Sequence, residues 1–317
     1  MTEPQQGLTY DQILALARLA EELGFETFFR SDHYTSFPGP RGLPTTDAWT
    51  TLAGLARETS RIRLGALVSP VTFRVPGSFA KVVMTVDEMS GGRVEVGVGA
   101  GWNAIEHAEL GIPFPELRER VDQMEEELRI LRGLWDEPDG WSFDGSYWQV
   151  RDARLRPKER PADARADGRR RPNLILGGTD KPRALRLAAA WVDEYNISST
   201  DPAGCRRIRE RLVEECRAIG RDPATLEVSV MVGFLIGRDE AEFRERARAQ
   251  IAMFGAEAAN GEAWLDERRK RWIIGMPHEA RARLAEYVAS GVDRIMLQCF
   301  LPHDLDHIRL VGQELTG

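Results

Sequence analysis

The sequence predicts an α/β fold, a (β/α)8 TIM barrel, and three observations predict it. Short apolar runs alternate with longer amphipathic stretches along the whole 317 residues. That alternation calls for parallel strands with helices outside them. Seven apolar runs are each followed by a helical stretch, while the first helical stretch has no strand ahead of it. A barrel with its first strand largely missing from the chain is the economical arrangement. The third observation concerns the alternative, a doubly wound open sheet. Such a sheet usually carries G-x-G-x-x-G at its first strand–helix turn, and Gly97-Val98-Gly99-Ala100-Gly101 does not fit that spacing.

Taken in order, Thr9-Tyr10-Asp11-Gln12 forms a capping box, and Ile13, Leu16, Ala17, Ala20 and Leu23 follow at helical spacing until Gly24 stops them. Phe25–Arg30 reads as a strand ending in Ser31-Asp32-His33-Tyr34, and Thr35–Pro44 as a loop. A helix from Thr46 leads to a strand over Ile62–Val68. Pro76 then suits a helix start and that helix runs to Met89. Trp102–Phe114 reads as a loop, and Pro115 opens a helix with Leu117, Val121, Met124, Leu128, Leu131 and Trp135 inward. Trp141–Leu155 reads as a hairpin turning at Asp144-Gly145. Beyond it come strands at Asn173–Leu176, Glu194–Ile197, Leu226–Ile236 and Arg294–Cys299, with helices at Pro182–Val192, Pro202–Ile219, Asp239–Phe254, Pro277–Ser290 and Asp304–Leu315. The expectation is one domain over 1–317, with insertions near 136–172 and 255–275.

Composition excludes several classes of function. A net charge of −7 argues against nucleic-acid and membrane-surface partners. The three cysteines, Cys205, Cys216 and Cys299, have no metal-ligand spacing and no disulfide framework, which fits a reducing cytoplasm. No signal peptide is visible, and the longest apolar run, Val228–Ile236, is too short to span a bilayer as a helix.

The working centre is expected around Ser90–Trp102. Val94, Val96 and Val98 alternate with Glu95, Gly97 and Gly99, the period of a strand, and small residues continue to Gly101 before Trp102. Strand glycines mark close approach of a ligand or of another backbone. A flat, wide ligand would use such a wall; barrel-corner sterics alone would also explain it.

These stretches, with Glu21-Glu22-Leu23-Gly24-Phe25, Ser31-Asp32-His33, Arg63-Leu64-Gly65, Ser90-Gly91-Gly92-Arg93-Val94, Leu176-Gly177-Gly178, Gly220-Arg221-Asp222-Pro223 and Gly291-Val292-Asp293-Arg294, resemble the luciferase-like monooxygenase superfamily, in particular its oxidoreductases that use coenzyme F420. The resemblance spans nearly the whole chain and rests on the order of its motifs. It implies a barrel of the bacterial luciferase-like type, a deazaflavin or flavin (F420, or alternatively FMN) across the strand ends, and usually a homodimer. An F420 or flavin reductase would be a further partner. Met1-Thr2-Glu3-Pro4-Gln5 resembles the end of the strand that relatives carry before the first helix. The given chain is therefore expected to start a few residues late, leaving a seam with unpaired strand edges.

The resemblance also implies roles for residues. His33, at a strand's C-terminal end, faces the cofactor ring and orients substrate or moves a proton. Asp32 matches a cofactor-contacting position. Leu67-Val68-Ser69 matches a bulge behind the ring, with a cis bond at Leu67-Val68 and Ser69-Pro70 as its rival site. Gly99, Ala100, Gly101 and Trp102 form the next wall. Gly177-Gly178-Thr179, ahead of a helix, offers bare amides to a phosphate, with Asp180 weakening and Lys181 restoring that site. Phe37 and Asn196 are expected at the substrate. Trp102 stands where the F420-dependent sugar-phosphate dehydrogenases of the superfamily have a catalytic glutamate, and Phe37 where they have a tryptophan; an indole cannot act as that acid. Sugar-phosphate oxidation is therefore not expected. Glu106 and His107 lie just beyond Trp102 and could supply a proton, but a solvated helix edge is the expected account. The basic runs Arg169-Arg170-Arg171 and Arg268-Arg269-Lys270-Arg271 are candidates for a cationic rim toward an anionic cofactor tail, solvated faces being the alternative.

Overall fold

The structure, a computed structural model, describes residues 1–158, 170–255 and 259–316. Thr9 caps the first helix, α1 (Tyr10–Glu22), by accepting from the Gln12 N–H while the Gln12 side chain returns to the Thr9 N–H. The strands and helices then alternate: β1 (Thr27–Arg30), α2 (Ala48–Glu58), β2 (Arg63–Pro70), α3 (Pro76–Ser90) and β3 (Val94–Gly99). Two helices follow β3 in succession, α4 (Ala104–Leu110) and α5 (Leu117–Asp136). A hairpin of β4 (Trp141–Asp144) and β5 (Gln149–Ala153) stands outside the barrel, pinned where the Glu126 carboxylate accepts from the N–H groups of Ser146, Tyr147 and Trp148. The barrel resumes with β6 (Asn173–Gly178), α6 (Pro182–Trp191), β7 (Glu194–Ile197), α7 (Pro202–Ala218) and β8 (Glu227–Ile236). It ends with α8 (Glu240–Phe254), α9 (Glu262–Arg269), β9 (Ile273–Gly275), α10 (Pro277–Ala289), β10 (Arg294–Gln298) and α11 (Leu305–Leu315).

The strands pair in parallel in the order β1-β2-β3-β6-β7-β8-β10, with the short β9 added to β8. Thr2 joins the two ends of this sheet. It bridges Arg30 on one side and Cys299 on the other, donating its N–H to the Phe29 carbonyl at 2.9 Å and accepting from Ser31 N–H at 3.1 Å. Met1 accepts from Cys299 N–H at 2.9 Å. The predicted (β/α)8 barrel is present, its first strand reduced to this contact. Below Thr2, β1 and β10 do not pair, and an apolar slot of about 240 Å³ lies between them, walled by Leu16 and Ala20 of α1 and by Ile308 and Val311 of α11.

Two layers fill the barrel. The lower one is ionic: Arg294 pairs with Glu95 at 2.7 Å and Glu194 at 3.0 Å, and Asn173 donates to Glu194. The two carboxyls diverge. Burial raises both, but Arg294 and Arg63 outweigh it at Glu95 and hold that group low, whereas burial prevails at Glu194 with Glu95 beside it. The upper layer is apolar, made of Phe29, Leu67, Ile175 and Met296 with Val68 against them. The stripe read on α5 divides along its length. Met124, Leu128, Leu131 and Trp135 pack on the barrel, while Leu117 is 57% exposed and Val121 half-buried. Cys205, Cys216 and Cys299 are free and buried. Among the described residues no helix is long and apolar enough to cross a membrane.

Candidate active site

All barrel strands deliver their C-terminal residues to one rim, the usual place for a catalytic site in this architecture. Here that rim opens into a cavity of about 960 Å³. Its back wall starts at β2. The Leu67-Val68 peptide is cis, whereas Ser69-Pro70 is not, and the β2–β3 register shifts between Ala66 and Ser69. Leu67 and Val68 line the cavity. The Val68 side chain turns onto the glycines of neighbouring strands. A Cβ on Gly97, Gly99 or Gly177 would come within 2.9, 2.6 or 2.9 Å of a Val68 methyl. These glycines therefore clear space for the bulge, and the bulge, not the bare strand, forms the wall. Gly99, Ala100, Gly101 and Trp102 continue the wall toward the mouth.

A polar network braces the bulge from behind. Ser69 Oγ donates to Asp32 at 2.7 Å and accepts from the Trp49 indole at 2.9 Å. Arg74 pairs with Asp32 at 2.5 Å and Asp47 at 2.6 Å, and donates to the Tyr34 hydroxyl at 3.0 Å. At Asp47 burial works against ionisation, but the Thr50 N–H and Arg74 outweigh it and hold the carboxyl down at about 2. At Arg74 burial is likewise overcome, by Asp32 first, and its affinity for the proton is raised. Asp32 and Ser69 are buried in this network and do not reach the cavity.

His33 lies at the cavity edge beyond β1. Its Nδ1 is 2.9 Å from Glu106 Oε1, and the other Glu106 oxygen accepts the Tyr34 N–H at 2.9 Å. Phe37 and Trp102 close on the imidazole edge-to-face, with ring centroids 4.4 and 5.7 Å from it and 5.1 Å from each other. Glu106 and His107 are each 1% exposed, which corrects the expectation of a solvated helix edge. They lie on α4, a helix within the stretch read as a loop, capped by Asn103. His107 is taken up by Asn103 and Thr72. Ile105 and Leu110, the large apolar residues of that helix, are turned outward instead. A seven-residue helix with its charged side inward carries no pattern from which this could be read.

The cavity holds a second carboxylate, which is not among the candidate residues of the sequence. Glu3 lines the cavity, accepting from the Gln298 amide at 2.7 Å and the Gln5 amide at 2.7 Å, while Ser31 Oγ donates to Gln5 at 2.6 Å. Only the end of a strand was legible in that segment.

The opposite end of the cavity is cationic. Gly177, Gly178 and Thr179 line it as β6 turns into α6, whose N-cap residue, Lys181, makes no side-chain cap bond. The first-turn amides are therefore uncapped and suited to an anion. Lys181 and Arg118 also line this end, and neither forms an ion pair among the described residues, whereas Arg183 is held by Asp122 and Glu125. Asn196 lies on the floor, donating to Ser229 Oγ at 2.9 Å.

A family model described as luciferase-like monooxygenase matches residues 1–294. The chain belongs to that family. Two luciferase-like relatives match across most of their length. One is an F420-dependent glucose-6-phosphate dehydrogenase of Microbacterium testaceum, 28% identical over 96% of this chain and 92% of the relative. The other is an FMNH(2)-dependent dimethylsulfone monooxygenase of Pseudomonas putida, 26% identical over 95% and 85%. Among solved structures, an F420-dependent secondary alcohol dehydrogenase in complex with an F420-acetone adduct superposes with a TM-score of 0.78 at 19% identity, covering 98% of this chain and 95% of that one. The tetrahydromethanopterin reductase of Methanopyrus kandleri superposes with a TM-score of 0.78 at 20% identity, over 100% and 96%. These likenesses establish a luciferase-like barrel.

Of the residues singled out in the luciferase-like motifs, His33, Phe37, Leu67, Val68 and Gly99 to Trp102 meet in the cavity, as do Gly177, Gly178, Thr179 and Asn196. The basic runs do not. Arg268 lies over the Trp264 and Trp272 rings, Lys270 pairs with Glu267, and Arg171 pairs with Asp193. Arg169 lies outside the described residues.

Proposed function

We propose that the chain is an F420-dependent oxidoreductase that moves a hydride between coenzyme F420 and a small organic substrate. The observation that carries this reading is one continuous cavity joining three parts. Those parts are a wall at Leu67-Val68, an anion-suited end at Gly177-Gly178-Thr179 with Lys181, and a carboxylate-held His33. The residues fit the group: the bulge rests on a glycine floor that any Cβ would fill, and the helix amides opposite are uncapped. Bound there, F420 supplies two-electron hydride chemistry with little reactivity toward oxygen.

In this reading Leu67, Val68, Gly99, Ala100, Gly101 and Trp102 hold the ring, and Gly177, Gly178 and Thr179 hold the phosphate. Asp32 and Ser69 act on the ring at one remove, by fixing the bulge. His33 moves a proton at the substrate, while Phe37 and Asn196 shape the substrate pocket. Trp102 cannot supply the acid expected of a sugar-phosphate dehydrogenase, so we assign a different small organic substrate. A cytoplasmic homodimer served by a separate F420 reductase completes the proposal.

Titration of the purified protein with F420 and with FMN tests it. F420 binding, followed by its fluorescence, and turnover that disappears in His33→Ala without loss of the circular-dichroism spectrum are the expected results. Tight FMN binding with no response to F420 would overturn the assignment in favour of an FMN-dependent monooxygenase. Binding of neither would point to a protein without turnover, and unchanged turnover in His33→Ala would remove that residue from the mechanism.

A further inference from the structure

We propose that Glu106 is a positioning residue, which fixes the tautomer of His33 so that an unprotonated Nε2 faces the cavity. Only the kinetic arm of its test rests on the oxidoreductase reading above. The argument starts from hydrogen-bond roles. Glu106 is 1% exposed, and its two oxygens meet His33 Nδ1 and the Tyr34 N–H, each at 2.9 Å. The Tyr34 N–H can only donate, and a carboxylate can only accept. The carboxylate therefore places the ring proton on Nδ1, and the bond made by one ring nitrogen decides the state of the other. Nε2 has no hydrogen-bond partner among the described residues, and His33 lines the cavity. The imidazole cannot readily turn over to exchange its nitrogens, because Phe37 and Trp102 pack edge-to-face on it and the swap would set a C–H against Glu106.

The consequence is a direction for the proton. For a substrate with an H–C–O–H group, the bound cofactor would accept the hydride from carbon as the C=O bond forms, and Nε2 would take the proton of the O–H. The imidazolium so produced lies against the Glu106 carboxylate, which stabilises it. Reduction runs the same transfers backward, with Nε2 returning the proton. With the opposite tautomer, Nε2 would already carry a hydrogen and could not accept one.

Nitrogen-15 NMR of histidine-labelled protein at alkaline pH tests the tautomer directly, with the His33 signals among those of five histidines assigned by a His33→Asn variant. The wild type should show His33 as the Nδ1–H form. Glu106→Gln, with one acceptor atom for two donors, should bring in the Nε2–H form. It should also lower kcat by about 10- to 100-fold, the range typical of lost orienting partners, with the substrate KM changed by less than about twofold. Glu106→Asp keeps the charge and should recover part of both signals; it also serves if the Gln variant does not fold. An Nε2–H tautomer in the wild type, or an unchanged Nδ1–H tautomer in a folded Glu106→Gln, overturns the proposal even where kcat falls. If the wild type does not turn over with F420, the oxidoreductase reading fails and the NMR result still decides the role of Glu106.

Discussion

Gly177→Ala would press on the wall of the cavity through a single contact. The added Cβ would meet Val68 Cγ1 at 2.9 Å, with the Val68 Cγ2 and Cβ atoms next at 3.6 and 3.8 Å. Ordinary van der Waals contact begins near 3.4 Å, so Val68 must give way by about 0.5 Å. Its methyls also occupy the space that a Cβ on Gly97 or Gly99 would take, and the easier movement is of the whole bulge into the cavity. Overpacking of this kind costs about 1–3 kcal/mol. A bulge moved into the cavity narrows the space for the ring, so F420 affinity should fall as well, by about tenfold for every 1.4 kcal/mol lost from binding itself. Urea unfolding measures the first quantity and fluorescence titration the second. The decisive assay is the cycle with Val68→Ala, which removes the crowding methyls. The double variant should recover about 1 kcal/mol or more of stability relative to the sum of the single changes. Strict additivity would refute the reasoning, because it would mean that Gly177 and Val68 do not share the space assigned to them; this stability arm does not depend on which cofactor binds.

Two further predictions concern the frame around the site. The Glu127 carboxyl is fully buried with one oxygen unpartnered, and burial, opposed only by Arg74, raises it to about 8. The folded chain thus keeps a proton that the unfolded chain releases above about 4.5, so stability is full at low pH and falls as pH rises between these values. The loss reaches about 3 kcal/mol by pH 7. Glu127→Gln should remove it, widening the stability gap over the wild type between pH 5 and pH 8 in urea unfolding; an equal gap at both pH values would contradict the burial argument. In the seam, Ala20→Leu should extend into the apolar slot of about 240 Å³ between α1, β1, β10 and α11. It should raise stability by about 0.5–2 kcal/mol, as cavity-filling changes commonly do, and a lowered Tm would mean that the slot has no room for three more carbons.

The barrel was legible because its signal is repeated: every strand–helix unit restates the same alternation, and errors at element ends do not disturb it. His33, Val68 and Gly177 were legible as short motifs at strand ends, and the barrel brings all strand ends to one place. The glycine run was legible as a place of close approach, but the identity of the approaching group was not. It is Val68, one strand away in space and some thirty residues away in sequence. The burial of Glu106 and the place of Glu3 at the cavity were hidden for a different reason. Glu106 lies on a short helix and Glu3 just ahead of a single turn, both with polar residues facing inward, and hydrophobic periodicity has nothing to say about such a face. The basic runs offered a cationic rim as one of two readings. The charge of Arg268, Arg269 and Lys270 is met by an aromatic face and by acids close in sequence, and Arg171 pairs with Asp193 and Asp136 farther along the chain.

The polar network behind the bulge has to be explained by position, since buried ion pairs contribute little net stability against well-packed apolar groups. Arg74 draws Asp32, Asp47 and the Tyr34 hydroxyl around one guanidinium, and Asp32 passes that order to Ser69, which the Trp49 indole holds from the other side. Ser69 is the residue directly after Val68. The cavity wall is therefore fixed on both sides: apolar packing of Val68 in the space left by the glycines sets its height, and the Ser69 hydrogen bonds set its direction. Packing alone would allow the bulge to slide along the glycine floor, because dispersion contacts have little directional preference. Hydrogen bonds to a charged, buried partner do not permit that slide. A planar ring held against such a wall meets a surface already in place, which is the condition for orienting it without further cost in ordering. Asp32 and Ser69, though shut off from the cavity, thus govern its shape as directly as the residues that line it.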